Sequence, residues 1–573
     1  MRNRPVLLLF VTFVMIPLSA LECQGAPPVP SFGAGQILQQ VQPNIQVPQS
    51  LPKAVIKNKR PQKSIPLSKI RVKVKHFVII GNTLFKTKIL HKLVVDGEGR
   101  SLTFDKIQFY ADRITAFYKK HGYILSRAVL PVQTIKNGRV TIRVIEARYG
   151  KILFHNKSRV SDSLVRSTLS DLVPGMTVKG PLFDSDLLLL SDIPGTKITS
   201  TFSPGSTPNT SDFDVDVLGT SMFNGSIGVN DYGDPYVGSL QMTGTGALNN
   251  IFHHGDTLTI TVTSAFAGFN YGRITYETLL NGAGTRVGAG YSALDYRLGG
   301  GISPIGYAGN ASILLALGAS GYAQTMSAWI IQPLVRRTRY NLMLTLDYDY
   351  DILSDTFDQA TGAGNNRSLD VVNLTISGNT TDNVWGGGIN NASITFAPYD
   401  LTMGAGMSSA IDPYFNSTIG FRSVWRGLIS RSQTLPGKDN SFFVSGNGQW
   451  ASGALDPIQQ YVMGGPQSVR GYATAVLFGD DGYTTTAELR HLSLFSSFPG
   501  TFQSSAFFDA GGVSYNSSFL TLMGTGLGES WQGPKGWLAS IQLATPIGGI
   551  PLALGGSSAT SPVEAWFLVE KTF

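Results

Sequence analysis

The chain has 573 residues, with 65 glycines, 14% charged side chains and a formal net charge of +8. That length allows several domains, and the lack of any long apolar run beyond the amino end excludes a helical membrane protein. Residues 1–150 hold 24 of the 45 Lys and Arg but only 6 of the 37 Asp and Glu, so the positive charge belongs to the amino-terminal part.

Arg2 and Arg4 precede an apolar run from Val6 to Leu21, and small residues follow around Ala20 and from Cys23 to Ala26. This is the order of a secretory signal peptide, expected over residues 1–25 with cleavage near Ala20 or Gly25. The run is shorter than the roughly 20 residues a membrane span needs. Glu22 fits lipid attachment at Cys23 poorly, and cleavage after Gly25 leaves no cysteine for a disulfide. Behind such a leader the basic amino-terminal part is either a solvated face with no partner or a surface for anionic lipid or an acidic client, and no nucleic-acid partner is expected.

Residues 32–46 read as a short helix, with Ile37, Leu38 and Val41 on one face, glutamines on the other, and Pro43 ending it. Residues 47–70, rich in Pro, Lys and Gln, read as an extended linker. Residues 71–147 read as a small α+β module. A strand spans Arg71–Ile80. A helix follows, with Thr103 as N-cap, Asp105 in its first turn, a face of Ile107, Tyr110, Ala111, Ile114, Phe117 and Tyr118, and Gly122 closing it. Strands Tyr123–Gln133 and Arg139–Glu146 are joined by Asn137-Gly138. Residues 148–217 repeat the pattern in outline: strand Tyr149–Phe154, helices Asp162–Leu172 and Phe183–Leu190, then strands Thr196–Phe202 and Asp212–Val217.

From residue 219 short alternating strands recur between Gly, Asn, Asp and Ser turns. They include Thr257–Ser264, Arg273–Leu279, Ser312–Leu317, Asn341–Tyr348, Ser393–Ala397, Phe442–Gly446, Thr484–Leu489 and Trp537–Leu543. At roughly 22 residues per strand and connection, residues 219–573 predict about 16 antiparallel strands of an all-β transmembrane barrel. The final strand places Phe567, Val569, Lys571 and Phe573 on one side and Leu568, Glu570 and Thr572 on the other. A terminal aromatic fits the interfacial girdle of such a barrel better than the exposed edge of a soluble sheet.

This order of parts resembles the transporter partner of two-partner secretion systems, within the outer-membrane barrel-assembly superfamily. Four stretches carry the resemblance: Leu187-Leu-Leu-Leu-Ser-Asp-Ile-Pro-Gly195; Asn230-Asp-Tyr-Gly233 with Asn249-Asn250 and Gly255-Asp256; Val469-Arg-Gly-Tyr472; and Phe507-Phe-Asp-Ala-Gly511. The resemblance implies a plug helix (Ile37, Leu38, Val41), POTRA domains over 71–147 and 148–217, and a barrel with an inward-folded loop carrying Val469, Arg470, Gly471 and Tyr472. It makes the strand of Phe507, Asp509 and Gly511 the partner of that loop, and Phe573 a carboxy-terminal assembly signal. Asp509 alternates with Phe508 and Ala510 and can face the lumen, where the Arg470 guanidinium can bind its carboxylate with two donors. Gly471 would allow a sharp turn at the loop tip.

The implied function is export of a large haemolysin- or adhesin-like partner exoprotein across the outer membrane of a Gram-negative bacterium, without ATP and without a cofactor or metal. Outer-membrane lipid, and the barrel-assembly machinery and periplasmic chaperones during biogenesis, are the other implied partners; the protein is expected to be a monomer. An assembly or insertion factor of the same superfamily is the alternative, disfavoured by the glutamine-rich helix. An enzyme is not expected: there is no Gly-x-Ser-x-Gly elbow or His-Glu-x-x-His pair, and Gly282-Ala-Gly-Thr-Arg-Val-Gly288 has the wrong spacing for a dinucleotide loop.

Overall fold

A computed structural model describes residues 33–41, 71–266, 268–299, 318–357, 364–404, 418–437, 439–495, 498–515, 518–548 and 562–573. The expected signal peptide, the linker, the strand at 312–317, and residues 32 and 42–46 of the expected helix lie outside them.

Helix α1 spans Ala34–Val41. The first module contains β1 (Arg71–Lys73), β2 (His76–Ile80), α2 (Thr87–His91), β3 (Ser101–Thr103), α3 (Phe104–Lys120), β4 (Arg127–Val129) and β5 (Arg139–Ile145). The second contains β6 (Arg148–Lys157), α4 (Asp162–Thr168), α5 (Gly180–Ser191), β7 (Thr196–Pro204) and β8 (Thr210–Gly219). The two share a topology. A central strand, β5 or β8, has a parallel partner on one side, β2 or β6, and an antiparallel partner on the other, β4 or β7. The helices cover one face of each sheet, where the apolar stripe of α3 buries Ile107, Ala111 and Ile114 against Phe77 and Ile142.

Two sequence expectations change here. Arg71–Ile80 is not one strand: β1 pairs with β3 and β2 with β5, in separate sheets. The chain breaks at Val74-Lys75, where the N–H groups of Lys75 and His76 both donate to the Gly138 carbonyl at 2.7 and 3.2 Å. Only Arg127–Val129 of the expected strand Tyr123–Gln133 is extended in a ladder. Tyr123–Ser126 forms a turn closed by Ser126 N–H to Tyr123 C=O at 3.2 Å, and Pro131 has no N–H to offer beyond it.

Glu146 closes the first module, and the two modules touch where Val178 N–H donates to the Ala147 carbonyl and Gly180 N–H to the Gly122 carbonyl. The Glu146 carboxylate accepts the N–H groups of Thr83 and Leu84 at 2.8 and 2.9 Å and the Tyr118 hydroxyl at 2.7 Å. Burial alone would raise its pKa, but the Leu84 N–H, the Thr83 hydroxyl and Tyr118 outweigh burial and hold it below the usual carboxylate range.

Sixteen strands then close into one antiparallel barrel. They run from β9 (Phe223–Asn230) through β10 (Gln241–Asn249), β11 (Thr257–Ser264), β12 (Phe269–Leu279), β13 (Arg286–Arg297), β14 (Ala319–Arg336), β15 (Tyr340–Phe357), β16 (Gly364–Asp382), β17 (Gly388–Met403), β18 (Gly420–Thr434) and β19 (Asn440–Ala451). The short strands β20 (Tyr461–Met463) and β21 (Leu477–Gly479) pair only with each other, inside the connection that follows β19. The wall resumes with β22 (Gly482–Phe495), β23 (Phe498–Tyr515), β24 (Ser518–Gln532), β25 (Trp537–Pro546) and β26 (Glu564–Thr572). Closure is by β26 on β9, in register from Leu568↔Asn230 to Thr572↔Ser226.

Alternation sorts the wall. Ile260, Val262, Ile394, Trp425, Leu527 and Ile541 are exposed on the outside, an arrangement costly in water but stable in lipid. Inward-facing hydroxyls pair across strands, such as Thr375 with Thr395 at 2.8 Å. No helix among the described residues is long and apolar enough to cross a membrane; the strands cross instead.

Candidate functional site

The connection from Ser452 to Asp481 folds back into the lumen. Its apolar side, Met463, Val469, Tyr472 and Leu477, packs on Val513 of β23 and Leu522 of β24. That packing brings Arg470 onto Asp509, which is wholly buried while its neighbour Phe508 is exposed outward. Arg470 Nε donates to Asp509 Oδ2 at 2.7 Å and Nη2 to Oδ1 at 2.8 Å, and the Arg470 N–H adds a third bond at 3.2 Å. Thr486 on β22 donates its hydroxyl to Oδ1 at 2.9 Å. The guanidinium lies flat on Phe507, its Cζ 3.3 Å from the ring centroid, so one face meets the quadrupole of the ring and the edge meets the carboxylate.

Three further contacts were not legible in the sequence. Glu488 of β22 places Oε2 3.6 Å from Arg470 Nη1. Trp566 of β26 donates its indole N–H to the Arg470 carbonyl at 2.9 Å. Thr474 donates its hydroxyl to the Tyr232 carbonyl at 2.8 Å. The loop tip thus joins β22, β23 and β26 to the first barrel connection.

Gly471 differs from expectation. It is not among the positive-φ glycines, so the turn does not require it. Space does: an added Cβ would lie 2.8 Å from the backbone carbon and oxygen of Thr545 and 2.9 Å from the Pro546 nitrogen, atoms that cannot step aside. At Gly511 a Cβ would meet Met463 Sδ at 2.6 Å, so that glycine lets β20 lie against β23.

The other end of the loop holds α1. Ala34, Ile37 and Leu38 are fully buried among Tyr296, Leu353, Leu369, Tyr399, Leu455 and Ile458, and Val41 packs at the margin. The glutamine face is not solvated as its polarity suggests: Gln36 is buried, and Gln39 Nε2 donates to the carbonyls of Ile458 and of Gln460, the latter at 3.1 Å. A buried charge cluster links helix, wall and loop. Asp355 of β15 accepts the Ala34 N–H and the Tyr296 hydroxyl, both at 2.8 Å. Arg367 of β16 pairs with Asp355 at 2.7 Å and with Asp456 of the loop at 2.7 Å. Charges this deep are stable only when paired.

At the opposite mouth the second module docks on the barrel through Asp192, which follows α5. Arg336, at the end of β14, donates to both Asp192 oxygens at 2.6 Å. Arg286 of β13 donates to the Asp192 carbonyl at 2.7 Å.

A lumen filled by a short helix and a returning loop, behind paired α+β modules, decides the class, and known proteins agree. The ShlB-type POTRA domain matches residues 72–147, and the haemolysin secretion/activation protein family ShlB/FhaC/HecB matches residues 390–530. In its first module and in its barrel the chain is similar to the two-partner secretion transporters. This transporter is 25% identical over 469 residues to the heme/hemopexin transporter protein HuxB of Haemophilus influenzae, covering 78% of this chain and 79% of that one. It is 24% identical over 473 residues to the outer membrane transporter CdiB of Escherichia coli, covering 80% and 76%. Its fold is similar to the solved structure of CdiB from Escherichia coli, with a TM-score of 0.66 at 19% identity over 91% of this chain and 94% of that one. The protein is an outer-membrane barrel with its POTRA region in the periplasm, and the transporters it resembles act with a secreted partner exoprotein.

Proposed function

We propose that the transporter is the pore through which one large haemolysin- or adhesin-like exoprotein leaves the cell without ATP. The observation that carries this is the content of the lumen. Helix α1 and the inner loop fill it, yet neither joins the sheet that forms the wall. Both are held by side-chain contacts, which can be exchanged without opening the barrel.

In this reading residues 1–25 are the leader, 32–46 the plug, 47–70 the linker, 71–147 and 148–217 the two POTRA domains, and 219–573 the barrel. The client arrives unfolded and adds to a sheet edge in the modules; among the described residues β2 and the part of β6 beyond Tyr149 each have a side with no strand partner. Val469, Arg470, Gly471 and Tyr472 latch the loop on Phe507, Asp509 and Gly511, and the loop and the plug (Ile37, Leu38, Val41) move to open the path. Folding of the client outside makes export one-way. Phe573 marks the chain for the barrel-assembly machinery, with periplasmic chaperones delivering it, and the finished barrel is a monomer in outer-membrane lipid.

The test is co-expression with a candidate haemolysin- or adhesin-like exoprotein. Appearance of that exoprotein in the medium only when the transporter is present supports the reading. Retention in the periplasm beside a fully inserted transporter would remove it.

A further inference from the structure

His76, His91 and Glu98 converge on one spot of the first module, though they stand on three separate pieces of chain. His76 opens β2, His91 ends α2, and Glu98 follows the short turn Val95–Gly97. Each sits next to a buried anchor: Phe77, Leu90 and Gly97. Their positions are therefore fixed by the core of the module rather than by flexible side chains reaching across a surface.

The two imidazoles converge on one carboxylate oxygen of Glu98. His76 Nδ1 lies 2.8 Å and His91 Nε2 3.0 Å from the same oxygen, Glu98 Oε1, and the two imidazole centroids are 5.1 Å apart. The Phe77 N–H donates to that oxygen at 2.8 Å and orients the carboxylate from behind, as outer contacts commonly do for metal ligands. One potential ligand atom from each of the three residues lies within 4.8 Å of the others. Tetrahedral bonds of about 2.1 Å would separate ligand atoms by about 3.4 Å, so a cation needs these groups to part by roughly half an ångström.

We propose that His76, His91 and Glu98 bind one divalent cation of the zinc, copper and nickel class. Two imidazoles and a carboxylate suit those borderline metals rather than calcium or magnesium, which prefer all-oxygen sites. Three protein ligands leave a coordination position for water or for a donor from another chain. His76 and Glu98 are only partly covered, at 53% and 17% side-chain exposure, so the position is open to the periplasm. Lys75 and Lys92 adjoin the two histidines in sequence, and positive charge near a cation weakens its binding. The bound ion would tie β2 to α2 and hold Glu98 on the Phe77 N–H, at the start of a strand edge that no other strand among the described residues covers. The inference does not depend on what passes through the barrel.

The experiment is titration of the full-length protein in detergent, purified without a polyhistidine tag, with zinc chloride by calorimetry and with copper(II) by electron paramagnetic resonance. We expect one bound equivalent, two-nitrogen hyperfine coupling from copper, and a rise of several degrees in the melting temperature with zinc. His76→Ala, His91→Ala and Glu98→Gln should each weaken zinc binding at least tenfold, while His121→Ala leaves it unchanged. Glu98→Gln keeps an acceptor for Phe77, and circular dichroism checks its fold. Binding that survives all three substitutions, or zinc affinity weaker than about 1 mM, would overturn the proposal.

Discussion

Arg470 makes two side-chain bonds to a carboxylate with no exposed surface, so loss of either partner strands a charge in a low-dielectric place. A pair of this kind contributes about 1–3 kcal/mol, enough to shift a two-position loop by tenfold or more. Arg470→Ala and Asp509→Ala are each expected to cut secreted exoprotein per inserted barrel about tenfold, with the double variant little worse than either. Fully additive losses in that double-mutant cycle would mean the residues act separately. Arg470→Lys should recover little, because a point-like ammonium cannot make the paired contact or lie on Phe507. Gly471 gives an independent probe of the same loop. Gly471→Ala forces a Cβ into the β25 backbone, an overpacking of about 1–3 kcal/mol. The loop should lift, and protease cleavage between residues 452 and 481 should rise while the barrel stays intact; unchanged cleavage would refute the close approach. The Val469–Tyr472 and Phe507–Gly511 motifs were readable in sequence, and their pairing was what the family resemblance implied. Glu488 and Trp566 were not readable there, because their strands meet the loop only once the barrel closes.

Helix α1 has one apolar face and too few residues to stand alone in water, so its stability comes from the lumen that buries it. Removing residues 33–41 should raise single-channel conductance in planar bilayers; an unchanged value would end the plug assignment. Asp355→Asn is a finer test. It weakens the acceptor of the Ala34 N–H and discharges one side of the Arg367 cluster, so it should give conductance bursts between the closed and deleted levels. A second element, α5, carries a titration effect. Burial pushes Asp186 up to about 7, the Asp171 charge adds to the shift, and Arg337 opposes it. One Asp186 oxygen is buried without a hydrogen-bond partner. An unfolded aspartate titrates near about 3.9, so between about 4 and 7 the native module holds a proton that the unfolded chain has lost. Stability from this group is therefore greatest at low pH and declines as pH rises through that window. Asp186→Asn should flatten the decline and stabilise the second module by about 1 kcal/mol at pH 8, read by hydrogen exchange of β8 at pH 5 and pH 8. A pH slope equal to that of the unmodified protein would contradict it.

At the scale of the whole molecule the second module and the barrel are one mechanical unit. Asp192 grips Arg336 with two bonds of 2.6 Å, and the barrel residue Leu279 joins the apolar core of the module. Arg336→Ala should loosen this joint: hydrogen exchange in the β14–β15 turn should rise and secretion should fall several-fold, with insertion unaffected. Deleting residues 71–219 should leave a barrel that inserts and does not secrete; secretion at the full level would place client capture elsewhere.

Among the described residues, periodicity, turn residues and composition by themselves determined a short helix, two α+β modules and a barrel of about 16 strands; the leader and the linker are expectations for residues outside that set. These rest on local physics, since alternation fixes which side of a strand meets lipid. Motif spacing placed Arg470 and Asp509 in the same third of the barrel. The tertiary structure decided everything that depends on closure. It split Arg71–Ile80 between two sheets, because the Gly138 carbonyl captures the N–H groups at the break. It assigned Gly471 to space rather than to a turn. It brought Asp355, Arg367 and Asp456 together from two strands and a loop, and His76, His91 and Glu98 from three pieces of one module. Contacts of that kind leave no local trace in the chain: their spacing along the sequence follows from loop lengths, and only packing makes them neighbours.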